Sequence, residues 1–316
     1  MEKTKTRRHS LKRLLAFLLS ALCVLGLLPM SAFAMSPGQT ASSWLGDQYV
    51  GSDGQHYYSP APYTYLVYNS DGTMDVRTSS GGSAYRHYML TLSDGSSHQV
   101  YCVESGIPYN TSDNTYTSES GTNSQYLNLL PAEARRGITL TAIYGWKPGA
   151  SLPVSGINED DYKMATQIIL WEYQQQLRSD PYSRHGNGHA SADQYYSVIA
   201  GRPAEKAYNW ILEQVASHST VPSFTSSSKD GAPELELKWD SEQRVYTLTV
   251  TDTNNLGIDL DLLSGSGVSV TRNGNQYTFT SKDMIMDPVT FEFRKDIPVA
   301  NDMLIWGRPG YQTMMT

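Results

Sequence analysis

The hydrophobic period changes twice along this chain, and the two changes set its fold class. Up to Val103 apolar residues alternate over short runs such as Tyr63-Thr64-Tyr65-Leu66-Val67-Tyr68, with Asp53-Gly54, Asp71-Gly72 and Asp94-Gly95 as turn signals between them. From Pro131 to Ser217 the spacing is helical, and from Glu234 onward alternation returns in runs such as Val245-Tyr246-Thr247-Leu248-Thr249-Val250. Strands, then helices, then strands describe an α+β chain. The expected architecture is a mixed β-sheet or barrel with a helical subdomain, followed by a small antiparallel β-sandwich. Expected boundaries are a signal peptide over 1–34, a first folded domain over 35–217, a Ser/Thr-rich linker over 218–233 and the sandwich over 234–316. Gln312-Thr313-Met314-Met315-Thr316 reads as the start of a further strand, so the sandwich is expected to be cut short, as in the N-terminal piece of a longer protein.

Within the first domain, Tyr88 to Leu92 and His98 to Val103 read as a hairpin in which Cys102 shares a face with Val100 while Tyr101 and Val103 take the other. A polar loop is expected from Asn110 to Ser124. Helices follow over Pro131–Tyr144, from an Asn158 N-cap to about Leu177, and over Pro203–Ser217. Glu159, Asp160 and Asp161 suit the first turn of the middle helix, where carboxylates favour the helix dipole and are ordinarily solvated.

The leader places the rest of the chain outside the cytosol. Six basic residues, Lys3 to Arg13, precede an apolar run from Leu14 to Leu28, and Ser31-Ala32-Phe33-Ala34 is a small-residue cleavage site, so Met35 is expected to become the first residue. Cys23 lies in mid-run after Leu22, a poor context for lipidation, and leaves with the leader. No later stretch approaches the roughly 20 apolar residues that cross a bilayer. Loss of the basic leader takes the formal charge from −7 to about −12, which argues against nucleic acid as a partner. A charged fraction of 17% with 22 tyrosines suits an extracellular, β-rich surface protein.

Two residues then stand out. Cys102 is the single cysteine left after processing, and an exported thiol without a partner is open to oxidation or unwanted pairing. Gln167 lies with Met164, Ile168 and Trp171 at i, i+3, i+4 and i+7, the spacing of one buried helical stripe. An unsatisfied buried amide costs about 1–3 kcal/mol, so Gln167 needs a partner, which a nearby backbone group can supply. A thiol and a carboxamide are also the two reactants of an internal thioester, formed when the sulfur attacks the amide carbon and ammonia leaves. That bond would mask the thiol and remove the amide NH2 from the core. A carboxamide is a poor electrophile, so the fold would have to hold the reactants in near-attack geometry and supply donors to the oxyanion. With the two 65 positions apart, only a folded domain can do this.

Tyr101-Cys102-Val103 and Thr166-Gln167-Ile168-Ile169-Leu170-Trp171 together resemble the paired signature of the thioester domains of Gram-positive cell-surface adhesins. The likeness covers about Tyr63 to Ser217. It implies a Cys102–Gln167 thioester with Trp171 packed beside it and Tyr101 and Thr166 in support, on a domain that uses no cofactor and no metal. It also implies covalent capture of a host or matrix amine, a protein lysine or a small amine. The nucleophile attacks the thioester carbonyl and frees Cys102, a single use and not turnover catalysis. Family members sit at the tip of wall-anchored stalks of β-sandwich repeats, and the region from Pro222 to Thr316 resembles a first stalk domain. Wall anchoring is expected only if the chain continues.

Other chemistries have weaker support. His185 and His189 follow the key helix, and with Cys102 as nucleophile either could serve a secreted Cys/His hydrolase or transamidase, but no helix starts after Cys102 to lower its pKa. Their i, i+4 spacing is interrupted by glycines, and no companion ligands make a metal site. Glu104 is read as the end of the strand in preference to an orienting group. Lys238 is a candidate for the intramolecular isopeptide crosslinks of related stalks, although a snorkelling surface lysine explains it far better. A non-covalent binding module with a Tyr-rich surface is the remaining alternative.

Overall fold

Six antiparallel strands close into a barrel, and two of the six come from the last residues of the chain. The computed structural model describes residues 35–69, 71–109, 111, 115–226, 228, 231–295 and 303–316; the leader expected over 1–34 lies outside them. In chain order the first strands are β1 (Thr40–Gln48), β2 (Tyr63–Tyr68), β3 (Met74–Ser79), β4 (Arg86–Leu92), β5 (Ser97–Cys102) and β6 (Thr115–Ser120). Helices α1 (Gln125–Leu129), α2 (Ala132–Tyr144), α3 (Glu159–Gln174), α4 (Ala192–Tyr196) and α5 (Pro203–Ser217) follow. Then come β7 (Lys238–Asp240), β8 (Val245–Thr251), β9 (Leu260–Ser264), β10 (Ser269–Asn273), β11 (Gln276–Ser281), β12 (Thr290–Phe293), β13 (Leu304–Gly307) and β14 (Met314–Met315). The fold class is α+β, as the change of period requires.

The barrel order is β1-β4-β5-β14-β13-β6. Its registers put Ala41, Leu90, Val100, Cys102, Tyr116 and Trp306 on one continuous face, because directly paired residues share a face and each strand alternates. All six are buried. Ile305 and Met315 lie on the opposite face and are buried as well. Near β5, β13 and β14 the barrel is therefore covered on both sides, and the run Val100-Tyr101-Cys102-Val103 is buried throughout.

The C-terminal strands correct the boundary expected at 234–316. Met314 pairs with Cys102 and Ile305 with Glu119, so residues 304–316 complete the barrel and do not extend the sandwich. The sandwich is inserted between α5 and β13: a four-stranded sheet β10-β11-β8-β7 and a two-stranded sheet β12-β9. Phe279 meets Phe291 between them at a ring separation of 5.3 Å, and Phe224, from the segment read as linker, packs on Tyr277 at 4.8 Å. Apolar strands as short as Leu-Ile-Trp-Gly and Met-Met fit either sheet, and sequence-distant pairing leaves no local trace. The polar loop expected from Asn110 to Ser124 also contains a strand. β6 has every other residue inward, Tyr116 and Ser118, and hides its alternation behind Ser and Thr.

α3 begins where expected. Asn158 accepts from the Asp161 backbone N–H at 2.9 Å and Asp161 returns a bond to the Asn158 backbone N–H at 2.8 Å, a reciprocal cap. Asp161 also accepts from Ser52 N–H at 3.0 Å and from the Tyr57 hydroxyl, tying the helix start to the loop after β1. The stripe through Gln167 is buried, but so is every residue from Asp161 to Gln174, because α3 is wrapped on all sides. α2 comes close because Gly137 has no side chain: a Cβ there would sit 2.1 Å from the Tyr173 ring.

Gly137→Ala is therefore expected to cost about 1–3 kcal/mol, read as a lower urea midpoint at unchanged m. Trp306→Ala should cost about 3–5 kcal/mol and destabilise the Cys102-bearing unit itself; unfolding confined to the sandwich would contradict the barrel assignment of β13.

Candidate functional site

The site exists because one ladder stops short. β4 and β5 pair from Thr91↔Ser97 to Tyr88↔Val100, and no pairing with β4 reaches Cys102. On its other edge β5 remains paired, with Cys102 opposite Met314 and the Val103 N–H donating to Thr313 C=O at 3.0 Å. The N–H and C=O of Cys102 thus face a gap in the sheet, and buried backbone groups require partners. The Gln167 carboxamide supplies them. Cys102 N–H donates to Gln167 Oε1 at 2.9 Å, and Gln167 Nε2 donates to Cys102 C=O at 2.6 Å, so a side-chain amide takes the place of a missing strand. Cys102 is fully buried and Gln167 is 1% exposed.

Around the sulfur the donors are few. The Trp171 indole N–H points at Cys102 Sγ at 3.3 Å, and the Glu104 backbone N–H and the Gln312 amide also reach it. Burial pushes the thiol up to about 12, outweighing these donors, so at neutral pH the free side chain is a protonated thiol. Aromatic rings enclose the site: Trp171 lies 5.5 Å from Tyr85 and 5.6 Å from Tyr195, and Tyr195 lies 5.5 Å from Tyr63. Gly106, at φ +87°, follows the site on β5's exit loop and has the Tyr65 ring against it, an approach that any Cβ would block.

The structure brings Cys102, Gln167 and Trp171 together. Tyr101 and Thr166 act one step away: the Tyr101 hydroxyl donates to Trp146 C=O at 3.0 Å, and Thr166 Oγ1 accepts from Trp146 N–H at 3.0 Å while donating to Tyr162 C=O. Together they fix the turn between α2 and α3. Glu104 does more than end a strand. It is buried, and its carboxylate accepts from the Thr313 N–H at 3.1 Å and the Thr313 hydroxyl at 2.7 Å, which fastens the β13–β14 connection beside the sulfur. Burial raises its pKa, and the two Thr313 bonds oppose the rise.

Gln312 was not among the sequence candidates. It is 4% exposed, its Nε2 donates to Glu104 C=O at 3.4 Å, and its Oε1 has no partner among the described residues. A lone amide in the connection just before Met314-Met315 repeats the signal that draws attention to Gln167, but its nearness to Cys102 depends on a pairing across most of the chain.

The histidines lie elsewhere. His185 bonds Gln176 C=O through Nε2 at 3.1 Å, and His189 is exposed on the same loop; neither is among the polar partners of Cys102. Lys238 is exposed on β7. Among the described residues no group of three His, Cys, Asp or Glu side chains could hold a metal ion, and no helix is long and apolar enough to cross a membrane.

No curated protein matches the chain. Two solved structures are similar to it. One is the thioester domain of the Staphylococcus aureus TIE protein, at 15% identity and a TM-score of 0.38, covering 87% of this chain and 92% of that one. The other is the pilus-presented adhesin Spy0125 (Cpa), at 11% identity and a TM-score of 0.29, covering 80% of this chain and 99% of that one. Residues 99–217, from within β5 through α5, match the family model described as thioester domain.

Proposed function

We propose that this protein is a secreted surface adhesin that attaches covalently to amines through an internal thioester between Cys102 and Gln167. The observation that carries the reading is the clasp of the Gln167 carboxamide against the backbone of Cys102, with Oε1 on the Cys102 N–H at 2.9 Å, in a pocket that buries both residues. Closure joins Cys102 Sγ to Gln167 Cδ, breaks the Cδ–Nε2 bond and releases the nitrogen as ammonia, which carries off the thiol proton. Negative charge that develops on Oε1 meets a donor already in place, so little reorganisation is needed in the transition state. The Trp171 N–H serves the sulfur in the same way, as attacking group and later as leaving group. Positioning is the larger contribution, since a thiol this reluctant to ionise reacts only where its carbon target is held against it.

The same geometry supports capture. An amine that adds to the Gln167 acyl carbon displaces sulfur, leaves an amide at residue 167 and returns the proton to Cys102. The product amide no longer carries a leaving group, so each chain reacts once and the protein is not a turnover enzyme. A lysine side chain of a host or matrix protein is the partner proposed, and a small amine is its surrogate. The export leader and the Tyr-rich, acidic composition support action outside the cell.

Intact mass of the processed chain is expected to fall short of the sequence mass by one ammonia, and Cys102→Ala or Gln167→Ala should each restore the full value. Wild type at full mass in fresh preparations would falsify the reading. Methylamine should add once, at residue 167, with no continuing product release. In Gln167→Ala the freed thiol should alkylate slowly: with its pKa pushed up to about 12, roughly one part in ten thousand is thiolate at pH 8. Its iodoacetamide rate should then rise about tenfold per pH unit from 7 to 10, without the plateau that an ordinary thiol near 8.5 would give.

A further inference from the structure

Tyr85 stands where β4 leaves the sheet. By the register of Tyr88 with Val100, a continued ladder would set Arg86 opposite Cys102 and Tyr85 opposite Val103. The pairing ends instead, and the Tyr85 ring lies on Trp171, the residue whose indole N–H meets the Cys102 sulfur. Burial pushes the Tyr85 phenol well up, and Tyr63, Tyr195 and Cys102 lie close enough to it that ionising any of them would push it further. Tyr85 is only 6% exposed, yet its hydroxyl has no hydrogen-bond partner among the described residues. Other phenols of this region are satisfied: Tyr65 donates to Gly106 C=O at 2.8 Å, Tyr109 to Met89 C=O at 2.7 Å and Tyr126 to Val103 C=O, while Tyr195 shares a bond with Ser105 at 3.0 Å. An orphaned buried hydroxyl costs about 1–3 kcal/mol, a penalty that phenylalanine at the same position would avoid.

A run of packed rings leads from this hydroxyl to a residue that is partly exposed. Tyr63, Tyr195, Trp171 and Tyr85 follow one another at 5.5, 5.6 and 5.5 Å between centroids, from half-buried Tyr63 to buried Tyr85. An unbranched alkyl chain entering along this run would meet apolar ring faces and, at the inner end, one unsatisfied oxygen. A primary amine on an alkyl arm, the chemistry of a lysine side chain, matches both.

We propose that the Tyr85 hydroxyl is the polar anchor of an amine subsite, accepting a hydrogen bond from the N–H of the nucleophile that attacks the Gln167 acyl carbon. The subsite rests on the thioester reading and adds to it the group that orients the incoming nitrogen. In the step itself the amine nitrogen bonds to Gln167 Cδ, the Cδ–Sγ bond breaks, and the proton lost by nitrogen ends on Cys102 Sγ. Tyr85 gives up no proton and is a positioning residue.

The test uses the full processed chain as wild type and Tyr85→Phe, each first weighed for the loss of ammonia, then opened at one pH with methylamine and, separately, with ethanethiol. Ethanethiol brings no N–H, so a positioning hydroxyl leaves its rate alone, whereas a merely loosened pocket alters both rates. The expected result for Tyr85→Phe is an intact thioester, an unchanged or raised Tm, a methylamine rate about 5- to 20-fold lower and an ethanethiol rate within about twofold. A methylamine rate within twofold of wild type, or an equal fall for both nucleophiles, overturns the subsite and leaves the thioester standing. Wild type at full mass overturns both. If Tyr85→Phe does not fold, the wild-type chain still decides: its rate should saturate with methylamine and stay linear with ethanethiol, and linear dependence on both overturns the subsite.

Discussion

The early end of the β4–β5 ladder is the constraint on which the rest of this structure depends. A strand that loses its neighbour inside a covered barrel leaves an N–H and a C=O that water cannot reach. A third strand would satisfy them and produce an inert sheet. A carboxamide satisfies them equally well, because it carries the same donor and acceptor, but it also brings a carbonyl carbon to the residue whose backbone it bonds. Since that residue is a cysteine, the hydrogen bonds that complete the sheet also bring electrophile and nucleophile together. In this site structural completion and chemical pre-organisation are one interaction.

Holding an amide in that gap requires the helix that carries it to be fixed along its whole length, and α3 is fixed through polar groups that burial would otherwise penalise. Lys163 keeps its ammonium 4.4 Å over the Trp146 ring and near Glu159 and Asp160. Asp160 in turn accepts from Val50 N–H at 3.0 Å and faces His87 at 3.3 Å; burial pushes its carboxyl up, and these partners bring it below the usual range. At the other end Glu172 and Arg178 pair at 2.8 Å, with the Tyr208 hydroxyl on the carboxylate and the carbonyls of Asp180 and Pro181 on the guanidinium. Buried pairs of this kind contribute little net stability, and removing one partner is costly. Their effect is to specify rotation and height, which an apolar helix surface leaves loosely defined, and the Gln167 clasp requires both.

Much of this was legible in the sequence, for identifiable reasons. The three long helices announced themselves through caps and period: Asn158 with Asp161, proline at the start of α5, and the return of apolar residues every three or four positions. Cys102 and Gln167 were visible as anomalies, a thiol without a partner and an amide among core residues. The stripe through Gln167 does not by itself single out one face, since α3 is buried all round. What escaped was the long-range part. β6 conceals its alternation in small polar residues; β13 and β14 are too short to declare a partner; and Gln312 reaches the sulfur only through a pairing that joins the two ends of the domain. Periodicity reports whether a residue will be buried, and it is silent on which distant residue it will be buried against.

The site is complete only when that long-range pairing is made. Until residues 304–316 return past the inserted sandwich, the barrel lacks two of its six strands, and Cys102 has neither Met314 opposite it nor the Gln312 amide at its sulfur. Contacts so distant in sequence carry the largest closure entropy in the domain. The burial that makes the thiol a poor acid, and that would keep water from a thioester, therefore depends on this closure. Glu104 ties the two stages together: it lies two residues from Cys102 and accepts both the N–H and the hydroxyl of Thr313, so the same contact that closes the barrel over the site also fixes the chain on either side of the sulfur.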